Sequence, residues 1–137
     1  MFFKKNKNDD KNDDLAKVAA LLIHAAKIDE NFSKQEEEII QQTLLKINGK
    51  IDEIDNIIKK GKIIEENTNQ ILDFTKEVKN MDEQKKIKII EALWQIIYSN
   101  KEADMYEMNL MRRLAGLLYI DDKTMGYIKQ KIKRQNS

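Results

Sequence analysis

The sequence predicts an all-α bundle of about seven helices, on three observations. Apolar residues recur at helical spacing along most of the 137-residue chain. Proline is absent and only Gly49, Gly61, Gly116 and Gly126 interrupt it, so little opposes helix formation. One unit of helix, short acidic loop and helix also occurs twice in a single register, which predicts a pseudo-two-fold repeat of helix pairs.

The elements follow in order. Residues 1–13 are Lys, Asn and Asp after the Phe2-Phe3 pair, with too little apolar surface to offset the entropy of ordering, so they are expected to form a flexible polar tail. A single domain over residues 14–134 follows, and residues 135–137 end the chain. Leu15, Val18, Ala19, Leu22 and Ala26 make one face of a first helix, and Ile39, Ile40, Thr43, Leu44 and Ile47 one face of a second. Asn48-Gly49 is the expected stop of the second. Ile51, Ile54, Ile57 and Ile58 predict a third helix ending near Gly61, and Ile71, Phe74, Thr75 and Val78 a fourth.

Asn80-Met81-Asp82-Glu83 offers a capping box for a fifth helix, and its Ile87, Ile90, Leu93, Trp94 and Ile97 predict a central position in the core. Leu110, Met111, Leu114, Leu117 and Leu118 predict a sixth helix. Met125, Ile128 and Ile132 predict a seventh after Asp121. The β-prone run Ile96-Ile97-Tyr98 lies inside a longer helical pattern, which should prevail.

Composition excludes several function classes. With 25 Lys and Arg against 24 Asp and Glu, the net charge of +1 produces no field to gather nucleic acid or anionic lipid, so no nucleic-acid partner is expected. Without cysteine there is no disulfide, thiolate metal site or cysteine nucleophile. The longest apolar run, Val18 to Ile23, is far short of the ~18 residues a spanning helix needs, and Met1-Phe2-Phe3-Lys4-Lys5 lacks the apolar stretch of a secretory signal. A cytoplasmic setting is therefore expected, with peripheral membrane contact through Phe2-Phe3 as the exception to test. No phosphate loop, nucleophile elbow or HExxH helix appears, so no enzyme activity and no catalytic residue is expected.

The repeat is read by sliding the chain through the 71 positions that separate Glu36 from Glu107. Leu22 then meets Leu93, Ile23 meets Trp94, Ala26 meets Ile97 and Asp29 meets Asn100, while Ile39, Ile40 and Ile47 meet Leu110, Met111 and Leu118. Ala92-Leu93-Trp94, the turn Asn100-Lys101-Glu102-Ala103-Asp104 with Met105-Tyr106-Glu107, and Leu110-Met111-Arg112-Arg113-Leu114-Ala115-Gly116-Leu117-Leu118 together resemble the C-terminal half of the tellurite-resistance TerB-like family. The first copy is a looser match, and the resemblance spans roughly residues 14–134. It implies a compact helical bundle, acidic surface positions proposed to hold metal ions, and a link to stress responses near the bacterial membrane. The family also includes domains attached to DnaJ-like co-chaperones, so the fold does not fix one activity. Where the family carries an Asp-Gly pair in each turn, this chain has Asp29-Glu30 and Asn100-Lys101, so any metal function should favour the first turn.

Two readings compete for the turns. Ser33-Lys34-Gln35-Glu36 and Asp104-Met105-Tyr106-Glu107 have the form of capping boxes, and a cap contributes on the order of 1 kcal/mol without any ligand. The metal reading assigns a divalent cation such as calcium or magnesium to Asp29, Glu30, Asn31 and Glu36 in the first turn, and to Asn100, Glu102, Asp104 and Glu107 in the second. Lys34 and Ile40 stand where an EF-hand loop has Gly and Glu, so the first turn is not an EF-hand.

His24, the sole histidine, is expected to be a partly buried, hydrogen-bonded residue. Arg112 and Arg113 are expected to pair with acids of neighbouring helices. Trp94 with Met105, Met108 and Met111 suggests either core or an adaptable groove, and Met105, Tyr106 and Met108 are the candidate partner-binding patch. The expected function is a non-enzymatic TerB-like module that binds a partner protein, with a divalent cation at its acidic turns. The rivals are a metal-dependent enzyme using the same carboxylates and an oligomerising structural module.

Overall fold

The computed structural model describes residues 7–28, 32–47, 50–68, 71–99 and 105–135. Among them seven helices follow one another: α1 (Lys7–Lys27), α2 (Lys34–Ile47), α3 (Ile54–Glu66), α4 (Leu72–Lys79), α5 (Glu83–Tyr98), α6 (Met105–Leu117) and α7 (Asp122–Gln135). None of these helices is long and apolar enough to cross a membrane.

From Leu15 to Ala26, α1 is apolar on every side except at Lys17 and His24, and such a helix leaves water only when neighbours surround it. α2, α3, α4 and α5 do so, and all ten apolar residues of this stretch are buried. The one-sided face expected for the first helix is corrected accordingly, and α1 shares the centre of the core with α5. Of the tail expected over residues 1–13, residues 7–13 belong to α1, which begins at Lys7, and residues 1–6 lie outside the described residues. Once the buried turns of a helix are fixed, each further residue adds a hydrogen bond without a new nucleation cost.

α1 and α3 approach closely because small residues meet where they cross. A methyl on Gly61 would stand 2.8 Å from Ala19 Cβ, 3.1 Å from the Ala16 carbonyl oxygen and 3.2 Å from Ala20 N. Gly61 is therefore a packing position inside α3, which continues to Glu66, and not the expected helix end. Ile51, expected on the buried face of α3, lies before that helix and is 80% exposed. The expected stop at Asn48-Gly49 lies outside the described residues.

α5 carries the other half of the core through Ile89, Ile90, Leu93, Trp94 and Ile97, and it packs against α1, α2 and α7. Its cap is Asp82, whose Oδ1 accepts from the Lys85 amide at 2.9 Å. The expected box from Asn80 is thus displaced by two residues. Asn80 instead ends α4, its side-chain amide donating to the Lys76 carbonyl at 3.3 Å.

α6 ends in a tight reversal. The Ile120 amide donates to the Ala115 carbonyl at 2.9 Å and the Tyr119 amide to the Gly116 carbonyl at 3.3 Å, a Schellman closure that puts Tyr119 at φ 58°. Buried Lys86 donates from Nζ to the Leu118 carbonyl at 3.0 Å, adding a cation at the negative end of the α6 dipole. Asp121 then caps α7, accepting from the Thr124 amide at 2.6 Å, and that bond holds its carboxyl below the ordinary value. Each long core helix packs against the second helix that follows it, α1 against α3 and α5 against α7.

Candidate functional site

The first predicted turn is anchored by reciprocal bonds. Glu36 Oε1 accepts from the Ser33 amide at 2.9 Å, and Ser33 Oγ accepts from the Glu36 amide at 3.1 Å. Glu36 is only 1% exposed, so this carboxylate is seated in the protein at the start of α2. Glu107, its counterpart in the 71-position register, is buried too. It lies near Tyr98, whose phenol is pushed above its ordinary value first by burial and then by the Glu107 charge.

The other candidate ligands, Asp29, Glu30, Asn31, Asn100, Glu102 and Asp104, lie outside the described residues. Among the described residues no group of three or more His, Asp or Glu side chains is placed to hold a metal ion. Glu36 Oε1 is engaged by the Ser33 amide.

What the structure does bring together are the two helix ends beside those turns. His24 and Ile28, at the end of α1, face Tyr106, Asn109, Leu110 and Arg113 of α6 across a cleft of about 430 Å³. His24 is held from behind: its Nδ1 stands 3.5 Å from Glu65 Oε1, and its ring lies 6.0 Å from that of buried Phe74. Glu65 Oε2 meanwhile accepts from Lys27 Nζ at 2.8 Å. A carboxylate of α3 shared between two α1 side chains thus fixes one wall of the cleft.

The opposite wall is more open. Tyr106 is 78% exposed and its neighbour Met105 76%, so both can meet a partner without rearranging the core. Met108 differs from expectation. It is half-buried against the core and lines a concavity with Trp94 of α5 and Met125 of α7. Arg112 and Arg113 are likewise corrected: both are exposed, and neither forms the expected ion pair among the described residues. Arg113 lines the cleft toward α1, and Arg112 lies at a concavity beside α7.

Asn109 and Arg113 were not legible as site residues, since in sequence they are ordinary polar positions of an amphipathic helix. Their one signal is the spacing of 106, 109, 110 and 113, which puts them on a common face with Tyr106. What lies opposite that face is set by tertiary packing.

The model of the family described as tellurite resistance protein TerB matches residues 15–130. The chain belongs to the TerB family. The TerB match begins at Leu15 within α1 and ends within α7, so it contains every residue lining the cleft. No curated protein and no solved structure gives a match.

Proposed function

We propose that this TerB-family chain is a non-enzymatic interaction module that docks a partner protein at the α1–α6 cleft, with a divalent cation at the first acidic turn ordering the rim. The observation that carries the reading is that Ile28 and Tyr106, which flank the two acidic turns in the chain, line one cleft. An exposed tyrosine, an exposed arginine and a partly exposed histidine beside apolar Leu110 are the mixture that protein interfaces favour. The sequence register that aligns Glu36 with Glu107 supports it further, since both glutamates are buried. The expected setting is the cytoplasm, including the inner face of the membrane.

Calcium, magnesium, manganese and zinc titrations followed by amide NMR test the cation. Shifts confined to residues 29–36 support a site at the first turn, and their absence there and at residues 100–107 rejects it. Affinity capture from native cells with the unmodified chain and with Tyr106→Glu and Arg113→Glu variants tests the docking surface. A partner retained equally by all three would reject the cleft. The same flanking placement also favours a metal-dependent enzyme built on both turns, which requires metal-stimulated turnover that disappears in Asp29→Asn.

A further inference from the structure

α6 separates two concavities, and the second bears on ligand chemistry. On the side away from the α1–α6 cleft, Trp94 of α5, Met108 and Met111 of α6 and Met125 of α7 line a cavity of about 170 Å³. We infer that this cavity receives one aromatic side chain, of the phenylalanine class, carried on an acidic segment of a partner protein.

Size narrows the occupant first. An apolar cavity of roughly 150 Å³ accommodates a benzene-sized group, whereas sites for drug-sized ligands run from ~300 Å³ upward. One ring fits; a nucleotide or large cofactor does not. The lining favours the same choice, because methionine side chains are flexible and polarizable, and their sulfurs make favourable contacts with aromatic rings. Trp94 contributes to the lining although it is only 2% exposed, and its Nε1 is buried with no acceptor among the described residues.

The rim sets the charge. Arg112 and Lys129 stand at the cavity against one carboxylate, Asp122, and neither cation has an ion-pair partner among the described residues. Lys129 Nζ lies 5.7 Å from the centroid of the Trp94 ring. Acidic residues flanking the inserted ring would complement this rim. Gly126 also lines the cavity, and a methyl there would project into open space with nothing within 4 Å.

The inference shares with the proposed function only the premise that the chain binds proteins, and it uses different residues, so the two can fail separately. Trp94 is the only tryptophan, which makes its fluorescence a local reporter. The experiment uses the full chain labelled at methionine methyls. The probe is a short peptide of Asp and Glu around a central Phe, compared with versions carrying Ala for Phe or Lys for the acids. The acidic Phe peptide is expected to shift Trp94 emission and the Met108, Met111 and Met125 methyl signals saturably, leaving Met105 unmoved. The Ala and Lys versions should bind at least about tenfold more weakly. Gly126→Leu should abolish the response by occluding the entrance, and Arg112→Glu, on the exposed face of α6, should weaken it about tenfold. Failure of the acidic Phe peptide to bind overturns the inference. So does equal binding of the Lys peptide or of a mixed-sequence single-stranded oligonucleotide, or a response confined to the Met105 methyl.

Discussion

Tyr119 sits in the left-handed region at the close of α6, where a side chain costs roughly 1–2 kcal/mol and glycine is the usual occupant. Its ring is 69% exposed, with Lys79 Nζ 5.2 Å and Lys86 Nζ 5.9 Å from its centroid. Two substitutions separate the backbone from the ring. Tyr119→Ala and Tyr119→Gly both remove the cation contacts, but only glycine relieves the backbone, at an entropic cost of about 0.5–1 kcal/mol. Urea unfolding should therefore find the glycine variant more stable than the alanine variant by about 0.5–1 kcal/mol, and an alanine variant as stable as the glycine one would refute the strain. Sequence reading found the end of α6 here but not this conformation, because no glycine marks it. By contrast, Ser33 and Glu36 were legible as a capping box because their bonds span three residues and need no distant partner.

At the scale of helices, the glycines divide by what surrounds them. Gly61 lies where α3 crosses α1, and its added methyl would strike Ala19 Cβ and the backbone of Ala16 and Ala20, none of which can swing aside. Alanine would gain about 1 kcal/mol of helix propensity, while forcing the helices apart typically costs 1–3 kcal/mol. Gly61→Ala should thus lower stability by up to about 2 kcal/mol. Gly116→Ala, where the added methyl meets nothing within 4 Å, should raise it by as much as about 1 kcal/mol. Thermal unfolding of the pair supplies the check, and a stabilised Gly61→Ala would contradict the close crossing. In sequence alone Gly61 reads as a helix stop, because a glycine that ends a helix and one that admits a neighbour look the same.

For the molecule as a whole, the response to pH follows from two groups that hold their protons more tightly when folded. Lys17 of α1 donates to Glu77 at 2.7 Å, and this bond raises its ammonium above the ordinary 10.5 despite some burial. Burial and then the Glu107 charge raise the Tyr98 phenol above 10.0. Because both folded values lie above the unfolded ones, their contribution is intact below about pH 10 and is lost as pH rises through the folded values. Asp121 has the opposite sign: its contribution is present above the ordinary 3.8 and is lost as pH falls through its lowered value. Denaturant unfolding across the alkaline range should give a decline above about pH 10 that is shallower in Tyr98→Phe. A profile that stays flat would contradict the burial of Tyr98.

The sequence by itself determined the helical class, the order of the seven helices, the buried faces of α2, α4 and α5, and the TerB membership. These rest on period, capping and composition, which act over a few residues and survive without knowledge of the packing. Tertiary structure alone decided that α1 is enclosed on all sides, that Gly61 admits a neighbour, and that Ile28 and Tyr106 share a cleft. It also turned Met108 inward to meet Trp94 while Met105 remained exposed. Those outcomes depend on which helices cross and at what distance, and the pattern of a single helix does not contain that information.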